Sequence, residues 1–220
     1  ISNYCLMMLM IFYLQNLQEP MIDTILNNQR TRSPMVLDEK KKWNFYFNDD
    51  INRTRNNHQS LRELLTGFFQ YFSHINPQED VISLLLGQLV KRSDFAVHPD
   101  LEDARRLINS CGLPQFKVDS PEIFHVQDAF ELNLNIGIKS KKNVESFFEI
   151  IKLSHEKCQE LGDKPFSELL IKLFTDIQLP VVQNNNNSEG NGKKSKAKKK
   201  FEMIIHAIPG DLKVIINLKK

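Results

Sequence analysis

Three patterns predict a mainly helical chain with a minor β component, an α+β class. Apolar residues recur at helical spacing in several stretches, residues that start or stop helices flank those stretches, and alternation like that of paired strands dominates only near the end. A length of 220 residues can bury one sizeable core with a small satellite. A composition 41% hydrophobic and 25% charged is that of an ordinary globular protein and excludes a fibrous or largely disordered chain.

Residues 2–18 read as a buried helix that opens at Ser2 or Asn3. All eleven residues of Tyr4–Leu14 are apolar, short of the roughly 18 that a bilayer span needs, so a helix inside a protein core explains them and no membrane insertion is expected. Glu19-Pro20 is expected to end the helix, because proline disfavours the helical state in the residue before it. Residues 28–58 are polar apart from Trp43-Asn44-Phe45-Tyr46-Phe47, which alternates like a short strand.

Ser60-Leu61-Arg62-Glu63 is a capping-box pattern, in which Ser60 and Glu63 each satisfy a free backbone donor at a helix start. Leu61, Leu64, Leu65, Phe68, Phe69 and Phe72 then form one apolar stripe, closed by Asn76-Pro77. Val81–Leu86 reads as a buried strand or short apolar segment. A short helix is expected over Asp100–Ser110, with Asp100 as its N-cap and Gly112 as its stop. A longer one runs from about Asn143 to Leu161, with Val144, Phe147, Phe148, Ile151, Cys158 and Leu161 facing inward. Phe166–Ile177 repeats the pattern through Leu169, Leu170, Leu173 and Phe174.

The tail changes character. Residues 183–200, with Asn184–Asn187 and the lysines Lys193, Lys194, Lys196, Lys198, Lys199 and Lys200, have nothing with which to build a core and are expected to form a disordered linker. Phe201–Ile208 and Leu212–Leu218 flank Pro209-Gly210-Asp211 and predict a hairpin within 201–220.

Net charge is +2, but removing those six lysines from the 29 Lys and Arg leaves 23 against 27 acidic residues. Attraction to nucleic acid is therefore local to the lysine run, which reads either as a solvated tail, as a grip on RNA phosphates, or as an import signal. Cys5, Cys111 and Cys158 are widely spaced and odd in number, which suits a reducing intracellular compartment better than a disulfide framework. The chain opens on Ile1 in the middle of an apolar stretch and is read as starting inside a longer protein, so no targeting peptide is judged.

Residue spacing alone supplies almost no chemistry. There is no Asp-x-Asp, no His-Glu-x-x-His and no Cys/His cluster at metal-ligand spacing. Asp49-Asp50 would face opposite ways on a strand and read as a solvated turn. Gly190-Asn191-Gly192-Lys193 lacks the earlier glycine, the following Ser/Thr and the preceding strand of a phosphate loop. His155 and Cys158 lie one turn apart, as a surface histidine beside a core cysteine does.

Three blocks change the reading. Ser2-Asn3-Tyr4-Cys5-Leu6-Met7-Met8-Leu9-Met10-Ile11-Phe12-Tyr13-Leu14-Gln15, closed by Glu19-Pro20, resembles the central-domain helix of template-independent poly(A) polymerases and terminal uridylyltransferases. Asn57 to Phe72 resembles the next block of that family. Val81-Ile82-Ser83-Leu84, followed by Asp128-Ala129-Phe130-Glu131-Leu132-Asn133-Leu134-Asn135-Ile136-Gly137, is similar to the end of the poly(A) polymerase-associated domain. Order and spacing match over about residues 1–155, with mitochondrial poly(A) polymerase as the nearest type.

The resemblance implies the helical central lobe of a nucleotidyltransferase over 1–155, a helical extension over 156–182, a linker over 183–200 and a hairpin over 201–220. It implies a palm lobe upstream, with a Gly-Ser turn and three carboxylates that bind Mg2+ or Mn2+ for nucleotidyl transfer to an RNA 3′ end. This lobe would grip the nucleoside triphosphate, ATP in the favoured reading. Tyr4 would stack on the base and Asn3 would bond sugar or phosphates, although Tyr4 also suits an ordinary helix start.

Asp128 and Glu131 would order the base-specificity loop, or serve as turn carboxylates; Asn135 lies in the same loop. Leu134 stands where uridylyltransferases commonly carry a histidine that favours uracil, and its lack of hydrogen-bonding groups tilts the reading toward adenylate. The alternatives are a uridylyltransferase acting on a small RNA such as a spliceosomal small nuclear RNA, and a catalytically inert RNA- or protein-binding scaffold. A mitochondrial location is favoured, with a nuclear one as alternative. Ala129 and Asp23 depart from the family's prolines, and Leu89–Val126 is longer than expected between blocks.

Overall fold

The computed structural model describes residues 1–24 and 57–177, apart from 111, 119 and 121, together with the backbone of 201–208 and 211–218. The chain divides into two compact units, Ile1–Pro180 and Val181–Lys220. The strand-like stretch Trp43–Phe47, Asp49-Asp50 and the whole of 183–200 lie outside the described residues.

In the first unit the described elements run α1 (Asn3–Gln15), α2 (Leu61–Ser73), β1 (Asp80–Ser83), β2 (Gln88–Lys91), α3 (Arg92–Phe95), a 3₁₀ turn (Pro99–Leu101), α4 (Glu102–Ser110), β3 (His125–Gln127), α5 (Lys141–Glu160) and α6 (Phe166–Asp176). The expected class, mainly helical with a small sheet, is the observed one. The sheet order is β2-β1-β3, with β2 antiparallel to β1 and β3 parallel to it.

β1 is buried along its whole length and divides two cores. Successive strand residues point to opposite faces, so Ile82 joins the main core while Val81 joins a second one. The main core packs α1, α2 and α5 around Phe12, Phe72 and Phe124, all fully buried. Its centre is aromatic: Phe68 and Phe72 lie 4.7 Å apart, and Tyr13 meets Phe68 edge-on at 5.8 Å. The second core gathers Leu85, Leu86, Val90, Phe95, Leu101, Ala104 and Ile108. A smaller cluster of Cys158, Leu161, Leu169 and Leu173 joins α5 to α6.

Two arginines tie these layers together through backbone carbonyls. Arg62 on α2 donates to the carbonyls of Leu161 and Lys164, satisfying the end of α5. Arg92 donates to the carbonyls of Pro77, Val118, Ser120 and Ile123, which fixes the segment entering β3.

The capping box at α2 is present: Ser60 Oγ accepts from the Glu63 amide at 3.3 Å, and Glu63 accepts from the Ser60 amide at 2.6 Å. Other boundaries differ from expectation. α1 ends at Gln15, not at Glu19-Pro20, because the Asn16 side chain takes over the Phe12 carbonyl at 2.8 Å and bonds the Gly87 carbonyl at 3.0 Å. Asp100 is not the N-cap of α4, because Pro99 starts a 3₁₀ turn first and α4 begins at Glu102. Val81–Leu86, expected as a buried strand or short apolar segment, is buried throughout, and its strand part stops at Ser83. Leu84–Gly87 turns back through Gly87, whose φ of 65° suits glycine, into the unanticipated β2.

In the second unit, β4 (Phe201–Ile208) pairs antiparallel with β5 (Asp211–Leu218), Phe201 opposite Leu218 and Ile208 opposite Asp211. Among the described residues, no helix is long and apolar enough to cross a membrane.

Candidate functional site

The site sits where the start of α1 meets the loop after β3. Ser2 caps α1, its hydroxyl accepting from the Cys5 amide at 3.1 Å, and no acidic residue occupies the first turn. The amide-rich, positive end of the helix therefore carries no acidic side chain of its own. Asn3 and Tyr4 lie on that turn and are exposed, Tyr4 by 37%. Cys5 points the other way, fully buried, and burial pushes its thiol up to about 11, which leaves it neutral and unreactive.

The loop is built by two side chains that accept backbone amides. Asp128, 2% exposed, takes the N–H of Phe130 at 2.6 Å and of Glu131 at 2.8 Å on one oxygen, the turn that aspartate favours. Asn135 takes the N–H of Val126 at 3.0 Å and of Gly137 at 2.9 Å. Between them the Asp128 amide donates to the Leu134 carbonyl at 3.0 Å. Gly137 permits the closure: a Cβ there would lie 1.9 Å from the Phe124 carbonyl oxygen.

Helix and loop are joined by one bond across 124 residues of sequence: the Tyr4 hydroxyl donates to the second oxygen of Asp128 at 2.7 Å. Burial, followed by that bond and the nearby charges of Asp128 and Glu131, raises the phenol well above its ordinary range. The hydroxyl therefore stays protonated and remains the donor. Leu134 and Phe130 leave the loop with 37% and 47% of their surface exposed. The Tyr4 ring at the helix start and the exposed apolar side chains of the loop are thus tied into one region through Asp128.

Tyr4, Asp128, Glu131, Leu134 and Asn135 thus belong to one region, with Asn3 on the adjoining turn. Asn135 spends its side-chain oxygen on the loop's own backbone. The six lysines of 193–200 lie outside the described residues. Among the described residues no group of three or more His, Cys, Asp or Glu side chains could hold a metal ion. The Tyr4–Asp128 bond had no local signal in the sequence. The Asx turn did, in an aspartate two and three residues before the amides it receives.

Solved structures share this architecture. mtPAP in complex with ATPγS superposes with a TM-score of 0.54 at 21% identity, over 80% of this chain and 32% of that one. Cid1 in complex with the UTP analogue UMPNPP gives 0.56 at 17% identity, over 79% of this chain and 49% of that one. The chain has the fold of the template-independent poly(A) and poly(U) polymerases. A curated sequence relative agrees: the speckle targeted PIP5K1A-regulated poly(A) polymerase of Danio rerio is 28% identical over 141 residues, 62% of this chain and 17% of that protein. The chain therefore spans about a sixth of that polymerase's length, and between a third and a half of the structures'. No protein-family model matches it.

Proposed function

We propose that this chain is the nucleotide-gripping lobe of an RNA nucleotidyltransferase that adds adenylate to RNA 3′ ends. The observation that carries the reading is Tyr4: an exposed ring at the open start of α1, held at its far edge by Asp128. A ring so placed stacks on a base with little regard to its identity. Asn3 and the free amides of the first turn would meet the sugar or phosphates. The relatives support the same reading, since mtPAP and Cid1 were solved with nucleotides or their analogues bound.

Base choice falls to the rim. Leu134 offers no group that could bond the edge of uracil, which favours ATP as the substrate. Mg2+ or Mn2+, which transfer of this class uses to activate the attacking hydroxyl and neutralise the phosphates, has no ligand set among the described residues. In this reading the metals belong to a palm lobe outside them. The lysines of 193–200 are a second contact, holding RNA phosphates through charge alone.

The test is primer extension by the protein as encoded in full, on a single-stranded RNA, with each of the four nucleoside triphosphates and either metal. Adenylate tails are expected. Uridylate addition would keep the lobe and overturn the argument from Leu134. No addition by a folded, RNA-binding protein would favour an inert scaffold. Leu134→His is expected to raise UTP use relative to ATP, read as the ratio of kcat/KM for the two; an unchanged ratio would remove Leu134 from base selection.

A further inference from the structure

We infer that Asp128 is a positioning residue: it serves the nucleotide through Tyr4 and does not read the base. The inference rests on the reading of Tyr4 as the stacking ring, and it follows from what the carboxylate already holds. One oxygen takes the amides of Phe130 and Glu131, the other takes the Tyr4 hydroxyl. At 2% exposure the group has no edge that a base could approach. A carboxylate facing a nucleotide pocket invites the role of specificity contact; this one faces the protein.

Its effect is on geometry. A tyrosine at a helix start turns about two side-chain bonds, and an unrestrained ring would have to be ordered each time a base bound. Tyr4 is restrained at both ends, by its backbone in α1 and by its hydroxyl on Asp128. Asp128 is in turn fixed by two amides of the loop, and its own amide bonds Leu134. The ring and the apolar rim therefore share one frame, so that a base stacked on Tyr4 arrives at Leu134 in a fixed register. Loss of the clasp should weaken every nucleotide alike, whereas changes at Leu134 should alter which nucleotide wins.

The experiment measures Kd for ATP and UTP with the full protein and its Tyr4→Phe, Asp128→Asn and double variants. Tyr4→Phe keeps the ring and removes only the hydroxyl. It is expected to weaken both nucleotides by a common factor of about three to ten, the usual cost of ordering one side chain on binding. Asp128→Asn keeps an acceptor for the loop amides; it should weaken both nucleotides by a common factor and add nothing in the Tyr4→Phe background. A shifted ATP:UTP ratio in Asp128→Asn, or additive effects in the double variant, would show that the carboxylate touches the base.

Amide hydrogen exchange at Phe130 and Glu131, measured without nucleotide, tests the clasp independently. Faster exchange in Tyr4→Phe is expected, and unchanged exchange overturns the clasp whatever the binding shows. Faster exchange in a protein whose parent binds no nucleotide would instead overturn the stacking reading, and with it any service of Asp128 to a nucleotide.

Discussion

The two halves of α1 are both almost wholly apolar, yet they are covered to different degrees. Its C-terminal half is built into the aromatic core, with Phe12 fully buried, Tyr13 6% exposed and the Tyr71 ring 6.1 Å from Phe12. Towards its N-terminus the helix keeps Cys5, Met8 and Leu9 inside but leaves Tyr4, Leu6, Met7 and Met10 exposed. A helix that is apolar all round carries no stripe to say which side is inside. Partners make the distinction: both halves send residues into the main core, but the α2 rings pack on Phe12 and Tyr13, while Tyr4 at the other end is held by Asp128.

Substitutions can break this contrast. The largest effect is expected from Phe12→Ala, which empties a fully buried aromatic position and should lower the unfolding free energy by about 3–5 kcal/mol in denaturant titration. A loss under 1 kcal/mol would mean that the aromatic centre is not the main support of α1.

Gly67→Ala comes next. A Cβ there would lie 2.2 Å from the Tyr13 hydroxyl oxygen, whose ring is hemmed in by Phe68 at 5.8 Å and Tyr71 at 6.0 Å. Alanine ordinarily steadies a helix by about 0.5–1 kcal/mol relative to glycine. Overpacking a core costs about 1–3 kcal/mol, so a net loss is expected. Adding Tyr13→Phe removes the atom in the way and should recover most of it. A net gain from Gly67→Ala alone would mean that Tyr13 swings aside, and that this half of α1 is looser than its burial suggests.

The same contrast explains what the sequence could be read for. The capping box was legible because Ser60 and Glu63 bond each other's amides within one turn. The stripe of α2 was legible because Phe68 and Phe72 recur at helical spacing, with the polar Gln70 and Ser73 between and after them. β2 was not: Gln88-Leu89-Val90-Lys91 buries only Val90, and its pairing comes from the turn at Gly87. Arg92 reads as a surface charge, yet it gathers four carbonyls from two distant segments. The second core escaped for the same reason, since its residues are scattered between Val81 and Leu132.

The site was legible only through resemblance. Periodicity could place Tyr4 on a helix and Asp128 in a turn, but nothing local links residues 124 positions apart. Asn135 shows the limit of that route. Its position in the block marks it as part of the loop, while its bonds to Val126 and Gly137 show that what it holds is backbone.

The smallest effect sharpens the comparison most. Met10 is 52% exposed, two residues before the fully buried Phe12 on the same helix. Met10→Gln is therefore expected to change stability by no more than about 0.5 kcal/mol, as surface substitutions do. The measurement is worth making twice, on residues 1–220 and on the protein as encoded in full. Equal, small changes would show that exposure alone separates Met10 from Phe12. A larger loss in the full protein would mean that this flank of α1 is also covered there, so that the helix is apolar all round because both sides are packed, with only the Tyr4 turn left open.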